Sequence, residues 1–402
     1  MIEQRLMGLN GDEAAAYAAK QARCDVVAAY PITPQTIIVE KYSEFYANGE
    51  IEGEFVPVES EHSAMSACVG ASACGARAYT STAANGLALM HEIVFVASSL
   101  RLPIVMSVVN RALSGPICIH CDHGDTMAER DSGWIQLYTV DAQESYDTVL
   151  QAFRIAEHHQ VLLPTMVMMD GFIVSHTLQN VHLIPDDAAA KFVGPERVVP
   201  NIKVPYLGEV PLALNTAKPI TIGPLDLWDY YFEHKMQQEE AINRAKEVIG
   251  QVSKEYGDLT GRHYGDGLIE EYAMDGAERV VVCMSSTYGT AKTVVRDLRA
   301  KGENVGLLRI RCYRPFPAEE LQAILQNVEG VAVLDRCLSP GAQGGPLFNE
   351  IRSIFYGSDG PKIIGYTYGL GGRDMPPELI RRAYTELEQK PCGYRGYLGV
   401  RG

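Results

Sequence analysis

The 402-residue chain predicts an α/β fold of two doubly wound domains joined by an extended linker. Three observations carry that prediction. Short apolar runs rich in valine and isoleucine alternate with amphipathic stretches, the pattern of βαβ units and of mostly parallel sheets covered on both faces. Prolines then recur between Pro185 and Pro224 with no sustained period, which breaks the alternation. It resumes at Glu278 and continues through the helix predicted over 376–389.

Taken in order, Asn10 to Asp12 are available to cap an alanine-rich helix that ends near Ala22. Strands are predicted over 24–30, 54–58, 77–81, 104–109 and 164–169, and helices over 35–47, 61–74, 86–100 and 143–159. The proline-rich stretch reads as an extended crossing segment, and a helix of mixed charge follows from about Tyr231 to Tyr256. The second domain alternates strands at 279–284, 304–310, 331–335 and 362–367 with helices at 287–301, 317–327, 346–356 and 376–389. The divisions that result are 1–185, a linker and helix over 186–276, and 277–402.

Composition narrows the class. With 47% apolar and 21% charged residues, each domain has the material for a core. A net charge of −15 argues against a nucleic-acid surface, which needs clustered lysine and arginine. Nine cysteines, an odd number in apolar or loop contexts, fit reduced thiols better than a disulfide framework. No apolar run approaches the roughly 18–20 residues of a membrane span, and Met1-Ile2-Glu3-Gln4-Arg5 lacks a secretory pattern. A cytoplasmic protein is expected.

Ligands of open α/β sheets bind outside the carboxyl ends of the strands, and there polar groups converge. Tyr30-Pro31-Ile32-Thr33-Pro34 follows the first predicted strand, its prolines stiffening the backbone around the Thr33 hydroxyl. The next strands are followed by Glu59-Ser60-Glu61-His62, by Thr82-Ala83-Ala84-Asn85-Gly86 and by Asn110-Arg111. Each has a plain structural alternative. Glu61 either caps its helix or faces an aromatic heterocycle. Arg111 makes either a structural ion pair or a two-pronged grip on a carboxylate. Thr33 is either a turn hydroxyl or a donor to a ligand.

These stretches together resemble a known family. Tyr-Pro-Ile-Thr-Pro, Glu-Ser-Glu-His-Ser-Ala, Thr-Ser-Thr-Ala-Ala-Asn-Gly-Leu-Ala-Leu-Met and Asn110-Arg111 are similar to the α subunit of 2-oxoacid:ferredoxin oxidoreductases, pyruvate synthase among them. So are Asp122-His123-Gly124-Asp125, Arg130 to Trp134, Gln143-Glu144, Asp170 to His176, Arg311 to Pro317, Leu334-Asp335-Arg336 and Gly369 to Asp374. The resemblance covers nearly the whole chain. It implies a thiamine diphosphate-fold pyrimidine-binding domain followed by a transketolase C-terminal-like domain. It also implies that Glu61, rather than its rival Glu59, hydrogen-bonds the aminopyrimidine and drives its imino tautomer. Arg111 and Thr33 would orient the 2-oxoacid, with Pro31 and Asn85 completing the cofactor-facing set. The implied reaction is oxidative decarboxylation with coenzyme A as acyl acceptor.

The diphosphate and magnesium half of the site, and the iron–sulfur clusters, are expected on β, γ and δ-type partner subunits, with ferredoxin or another acceptor beyond them. The chain alone should be inactive. Two other readings are a catalytically silent scaffold of an electron-transfer complex and a subunit of a non-ferredoxin thiamine-dependent 2-oxoacid dehydrogenase.

Some stretches depart from the family pattern or only imitate a motif. Cys118-Ile119-His120-Cys121 replaces an expected asparagine and aromatic residue, which leaves open a metal, a redox pair or an altered pocket wall. Pyruvate itself is thereby questioned, and a branched or aromatic 2-oxoacid such as phenylglyoxylate becomes an alternative. Gly265-Asp266-Gly267 imitates a diphosphate–magnesium motif without its strand context. The Gly369 to Asp374 turn reads as packing, and His158-His159 as solvated or capping residues late in a helix.

Overall fold

A computed structural model describes residues 2–401 apart from 196–198, 200, 205–207, 218 and 224. In chain order the elements are β1 (Arg5–Leu9), α1 (Gly11–Gln21), β2 (Val26–Ala29), α2 (Thr36–Ala47), β3 (Glu54–Pro57), α3 (Glu61–Ala73), β4 (Ala78–Thr82), α4 (Ala84–Ser99) and β5 (Val105–Asn110). Then come α5 (Gly124–Ala128), β6 (Ile135–Tyr138), α6 (Ala142–Ala156), β7 (Thr165–Asp170), β8 (Gln179–Leu183), α7 (Asp186–Val193), β9 (Asn201–Val204), β10 (Gly208–Pro211) and α8 (Tyr231–Thr260). The remainder is β11 (Ile269–Tyr272), β12 (Arg279–Cys283), α9 (Thr287–Arg299), β13 (Val305–Ile310), β14 (Cys312–Arg314), α10 (Ala318–Leu325), β15 (Gly330–Asp335), α11 (Pro346–Ser353), β16 (Lys362–Tyr368), α12 (Pro377–Gln389) and β17 (Arg395–Leu398).

Two sheets organise the chain. The first runs β14-β6-β7-β5-β4-β2-β3 and the second β11-β13-β12-β15-β16-β17. Each is parallel except for one antiparallel edge strand, β14 in the first and β11 in the second. The central strands β4, β5 and β7 are buried along their whole length, as strands covered by helices on both faces must be. Of the helices, α1 starts on a capping box: Asn10 accepts from the Glu13 amide at 2.9 Å and Glu13 accepts from the Asn10 amide at 3.0 Å. Such caps contribute about 1 kcal/mol. At the other extreme α8 stops at Gly261, whose φ of 81° closes the helix in a left-handed cap. No helix among the described residues is long and apolar enough to cross a membrane.

The strand and helix positions expected from the alternation fall on observed elements to within a few residues. The short elements β1, α5, β6, β8, β11 and β17 are not among those expected, and three further features differ. The proline-rich stretch, expected to be merely extended, contains α7 and the antiparallel pair β9–β10, although several of its residues lie outside those described. His158 and His159 lie beyond the end of α6, not within it, with the His158 carbonyl accepting from the Val161 and Leu162 amides. The third difference is topological. Arg311 to Arg314 leaves the second sheet and inserts β14 as an edge strand of the first, beside β6.

That crossing is fastened by buried charge. Glu144, at the start of α6, is fully buried and receives Arg309 through both terminal nitrogens at 2.5 and 3.0 Å and Arg311 Nε at 3.0 Å. Burial opposes the Glu144 charge, but the two guanidiniums outweigh it and hold the carboxyl below its usual range. Arg309 also meets Glu270 at 2.9 Å, and Arg311 reaches the Gly267 carbonyl at 2.8 Å. Next to this cluster the Asp266 carboxylate accepts from the Leu268 and Ile269 amides, each at 2.8 Å. The Gly-Asp-Gly imitation is therefore a turn.

Candidate active site

The loops after β2, β3, β4 and β5 lie along one rim of the first sheet because these strands run parallel and are neighbours in it. Glu61 enters this rim as the first residue of α3. Ser60 caps the helix with its side chain, accepting from the Ser63 amide at 3.2 Å, so capping does not require Glu61. The Glu61 carboxylate sits at the positive end of the helix, which favours its charge. The residue is only 7% exposed, and no described residue donates a hydrogen bond to its side chain. Glu59 is exposed and accepts from the Ser63 hydroxyl. Of the two glutamates, Glu61 is the buried and unoccupied one.

Gly86, in the first turn of α4, lies directly against it. A Cβ at this position would stand 2.5 Å from Thr82 Oγ1 and 2.7 Å from Glu61 Oε1. The Thr82 hydroxyl is itself buried without a partner among the described residues. Only glycine leaves this contact unforced. Gly86→Ala is expected to displace the Glu61 carboxylate and lower turnover by about 10- to 100-fold. The circular dichroism spectrum should stay unchanged, because alanine favours a helix more than glycine does; wild-type turnover would show that the contact has no consequence.

Arg111 follows β5 and is also 7% exposed. Its Nη1 donates to the Thr33 carbonyl at 2.8 Å, and its Nε is buried with no partner. No carboxylate among the described residues pairs with it. The structural ion-pair alternative therefore has no partner residue. Thr33 and Pro31 are exposed on the loop after β2, and Pro34 is buried behind them on a cis Thr33–Pro34 bond. Asn85 has a structural use: its Oδ1 accepts from the Ser114 amide at 3.1 Å and from the Ser114 hydroxyl at 2.9 Å, holding the loop that follows Arg111.

Two residues central to this geometry have no role assigned from the sequence. Gln35 is buried and braces the Pro31 to Pro34 loop, accepting from the Ile32 amide at 3.1 Å and donating to the Ser81 carbonyl at 2.9 Å. Asp125, within the Asp122 to Asp125 stretch, accepts through Oδ2 from the Ala84 and Arg111 amides, both at 3.0 Å. Its Oδ1 accepts from Asn110 Nδ2 and from the Thr126 amide, both at 2.8 Å. Burial pushes its carboxyl up to about 6, with those hydrogen bonds working against the rise. The sequence signal for Asp125 is only its place in the Asp122-His123-Gly124-Asp125 stretch, which does not distinguish it from Asp122.

The Cys118 to Cys121 loop packs on the second domain. Gly372 donates its amide to the Cys121 carbonyl at 2.8 Å, and a Cβ on Gly372 would stand 2.5 Å from His120 Cβ. The glycine-rich turn, with Gly369, Gly371 and Gly372 all at positive φ, thus lets two domains approach closely. Cys121 does lie with His123 and Asp170 in a buried group whose ligand atoms are within 4.8 Å of one another. Two of its three ligand groups are already committed, while His123 Nδ1 has no partner among the described residues. Asp170 takes His123 at 2.7 Å and Arg336 at 2.9 Å, and Arg336 also reaches Cys121 Sγ at 3.4 Å. Burial opposes the Asp170 charge, yet Arg336 and His123 hold its carboxyl far below the usual range. A guanidinium fills the place a cation would need.

Thr33 and Arg111 are joined by a hydrogen bond, Glu61 touches the start of α4 at Gly86, and Asn85 ties α4 to the loop after Arg111. Comparison with known proteins bears on this rim. Residues 17–254 match the family described as pyruvate flavodoxin/ferredoxin oxidoreductase, thiamine diphosphate-binding, and 277–380 match the pyruvate:ferredoxin oxidoreductase core domain II. The chain is 54% identical over 381 residues to a pyruvate synthase subunit PorA of Thermotoga maritima, covering 94% of each chain. It is 45% identical over 382 residues to a ketoisovalerate oxidoreductase subunit VorA of Pyrococcus abyssi, covering 95% of this chain and 93% of that one. A solved 2-oxoglutarate:ferredoxin oxidoreductase from Magnetococcus marinus superposes with a TM-score of 0.74 at 19% identity, over 96% of this chain and 66% of that one. At that identity the likeness concerns the fold.

Proposed function

The chain belongs to the pyruvate flavodoxin/ferredoxin oxidoreductase family, and on that premise we propose that it is the α-type subunit of a multi-subunit, thiamine diphosphate-dependent 2-oxoacid oxidoreductase acting on pyruvate. The reaction removes the carboxyl group as carbon dioxide, transfers the acyl group to coenzyme A, and sends two electrons to ferredoxin or another acceptor through partner subunits. The observation that carries the proposal is the buried Glu61 carboxylate, packed against Gly86 and with no partner among the described residues. A carboxylate so placed needs a proton-bearing partner, and an aminopyrimidine ring supplies one. The unpartnered Thr82 hydroxyl and Arg111 Nε fit the same demand for polar ligand groups.

When bound, thiamine diphosphate supplies the electron sink that lets a 2-oxoacid lose carbon dioxide. The residues of this chain do the rest of the work assigned to it. Glu61 shares a proton with the ring nitrogen and so acts as its acid–base partner. Arg111 presents a planar fork to the substrate carboxylate, held in place by the Thr33 carbonyl. The Thr33 hydroxyl donates to a substrate oxygen. Pro31 and Asn85 complete the cofactor-facing surface, the first by shape and the second by fixing the loop beyond Arg111.

In this proposal residues 1–185 bind the pyrimidine, 277–402 form the transketolase C-terminal-like domain, and 186–276 link them. Magnesium, the diphosphate site and iron–sulfur clusters reside on partner subunits of β, γ and δ type, and the assembly works in the cytoplasm.

The test is viologen reduction by the complex purified from its source, assayed against pyruvate, 2-oxobutyrate, 2-oxoisovalerate and phenylglyoxylate. Pyruvate is expected to give the highest kcat/KM. A preference for 2-oxoisovalerate would assign the altered Cys118 to Cys121 wall to a branched substrate. Arg111→Ala is expected to raise the KM for the 2-oxoacid about 100-fold, through loss of a charge-assisted pair, with thiamine diphosphate affinity unchanged. Loss of cofactor binding at unchanged KM would show that Arg111 serves the cofactor instead.

A further inference from the structure

The Asp125 carboxylate is 1% exposed, and all its accepting capacity is used by N–H groups from three separate elements. Ala84 contributes from the start of α4, Asn110 and Arg111 from the end of β5, and Thr126 from α5. Ala84 has φ +41, a conformation alanine rarely adopts, and the bond to Asp125 fixes the direction of its amide. Two residues further along this helix Gly86 stands against Glu61, and beyond the Arg111 amide its guanidinium holds Thr33. The network continues through the Thr126 hydroxyl to Asn110 Nδ2 at 2.9 Å and to the Tyr138 hydroxyl at 2.8 Å.

We propose that Asp125 is a positioning residue that sets the pyrimidine-facing and substrate-facing halves of the site in one register through a single carboxylate. The inference rests on the reading of Glu61 and Arg111 given above. An asparagine at this position places an amide NH2 where N–H donors already point, so at least one of the bonds to Ala84, Arg111, Asn110 or Thr126 becomes a donor–donor contact.

The experiment uses the assembled complex. Asp125→Asn is expected to lower kcat/KM about 100-fold, the scale of a misplacement near 1 Å, with KM for pyruvate and kcat both affected. Thiamine diphosphate affinity, measured by calorimetry on cofactor-stripped complex, is expected to fall about 10-fold. A lower melting temperature with KM, kcat and cofactor affinity all unchanged would reduce Asp125 to a structural residue and overturn the inference. If Asp125→Asn does not assemble, Asn110→Ala removes one donor and leaves the carboxylate in place. Its expected effect is a rise of about fivefold in KM, and an unchanged KM overturns the inference equally. Glu61→Gln and Arg111→Ala run in parallel. Wild-type behaviour of both sinks the reading of the site itself, whereas crippled activity of both beside an active Asp125→Asn complex sinks only the role of Asp125.

Discussion

Glu61→Gln is expected to lower 2-oxoacid-dependent viologen reduction by about 10³-fold or more while the chain folds and the complex assembles as before. Glutamine keeps the length and most of the shape of glutamate but cannot accept and return the proton, and general acid–base partners of this kind contribute about 10²- to 10⁴-fold. The structural side of the argument makes the test clean. Ser60 already caps α3, and no described residue hydrogen-bonds the Glu61 side chain, so nothing in the fold depends on its charge. A neutral amide is also less costly to bury than a carboxylate. Stability is therefore expected to hold or rise slightly, read as an equal or higher melting temperature.

A capping glutamate would behave in the opposite way, losing stability and keeping its rate. A scaffold subunit would keep its rate too, so full activity of the variant complex would remove Glu61 from catalysis. Glu59→Gln is the companion control and should leave the rate unchanged, since Glu59 is exposed. A non-ferredoxin dehydrogenase would also be crippled by Glu61→Gln. The wild-type complex would set it apart by failing to pass electrons to a viologen.

The fold could be read from the sequence because its signal is local. Valine-rich runs such as Val105 to Val109 and Val280 to Val282 are buried in every residue, and only strands covered on both faces need such a run. The elements that escaped are those whose stability comes from elsewhere. β6 is four residues long and β14 three, and neither has an alternation long enough to register. β6 is held by its pairing with β7, and β14 by its pairing with β6 beside the anchoring of Arg309 and Arg311 to α6. The places of the rim residues in the fold could be read for the reason that stiff loops and strand ends can. Thr33, Glu61 and Arg111 each follow a predicted strand directly. The bracing contacts of Asp125 and Gln35 could not be read from the sequence, because their partners include backbone groups 41 and 46 positions away, at Ala84 and Ser81. Backbone amides carry no sequence signature.

The same logic gives the largest expected effect on stability, at Glu144. Glu144→Ala leaves the guanidiniums of Arg309 and Arg311, both fully buried, without the carboxylate between them. Arg309 keeps Glu270, and Arg311 keeps the Gly267 carbonyl with Thr148 and Gln151, so part of each charge stays solvated by protein. Even so, removing one partner of a buried pair costs about 3–5 kcal/mol, because the charge left behind has lost both water and its counterion. For a chain of two α/β bodies this corresponds to a fall of roughly 5–15 °C in apparent melting temperature. Because two bodies need not unfold together, the sharper reading is limited proteolysis: cleavage is expected near β14, where the crossing strand is released from β6. Among the described residues no hydrogen bond or ion pair joins Glu144, Arg309 or Arg311 to Thr33, Glu61 or Arg111, so the residual folded complex should keep its KM for the 2-oxoacid. Replacing the buried group at once, with Glu144→Leu, Arg309→Met and Arg311→Met, should recover part of the loss, since apolar residues of similar volume leave no buried guanidinium unpaired, and Glu270 keeps some solvent and Lys292. A single Glu144→Ala chain that melts with the wild type would mean that β14 holds the two sheets together by its backbone pairing with β6 alone.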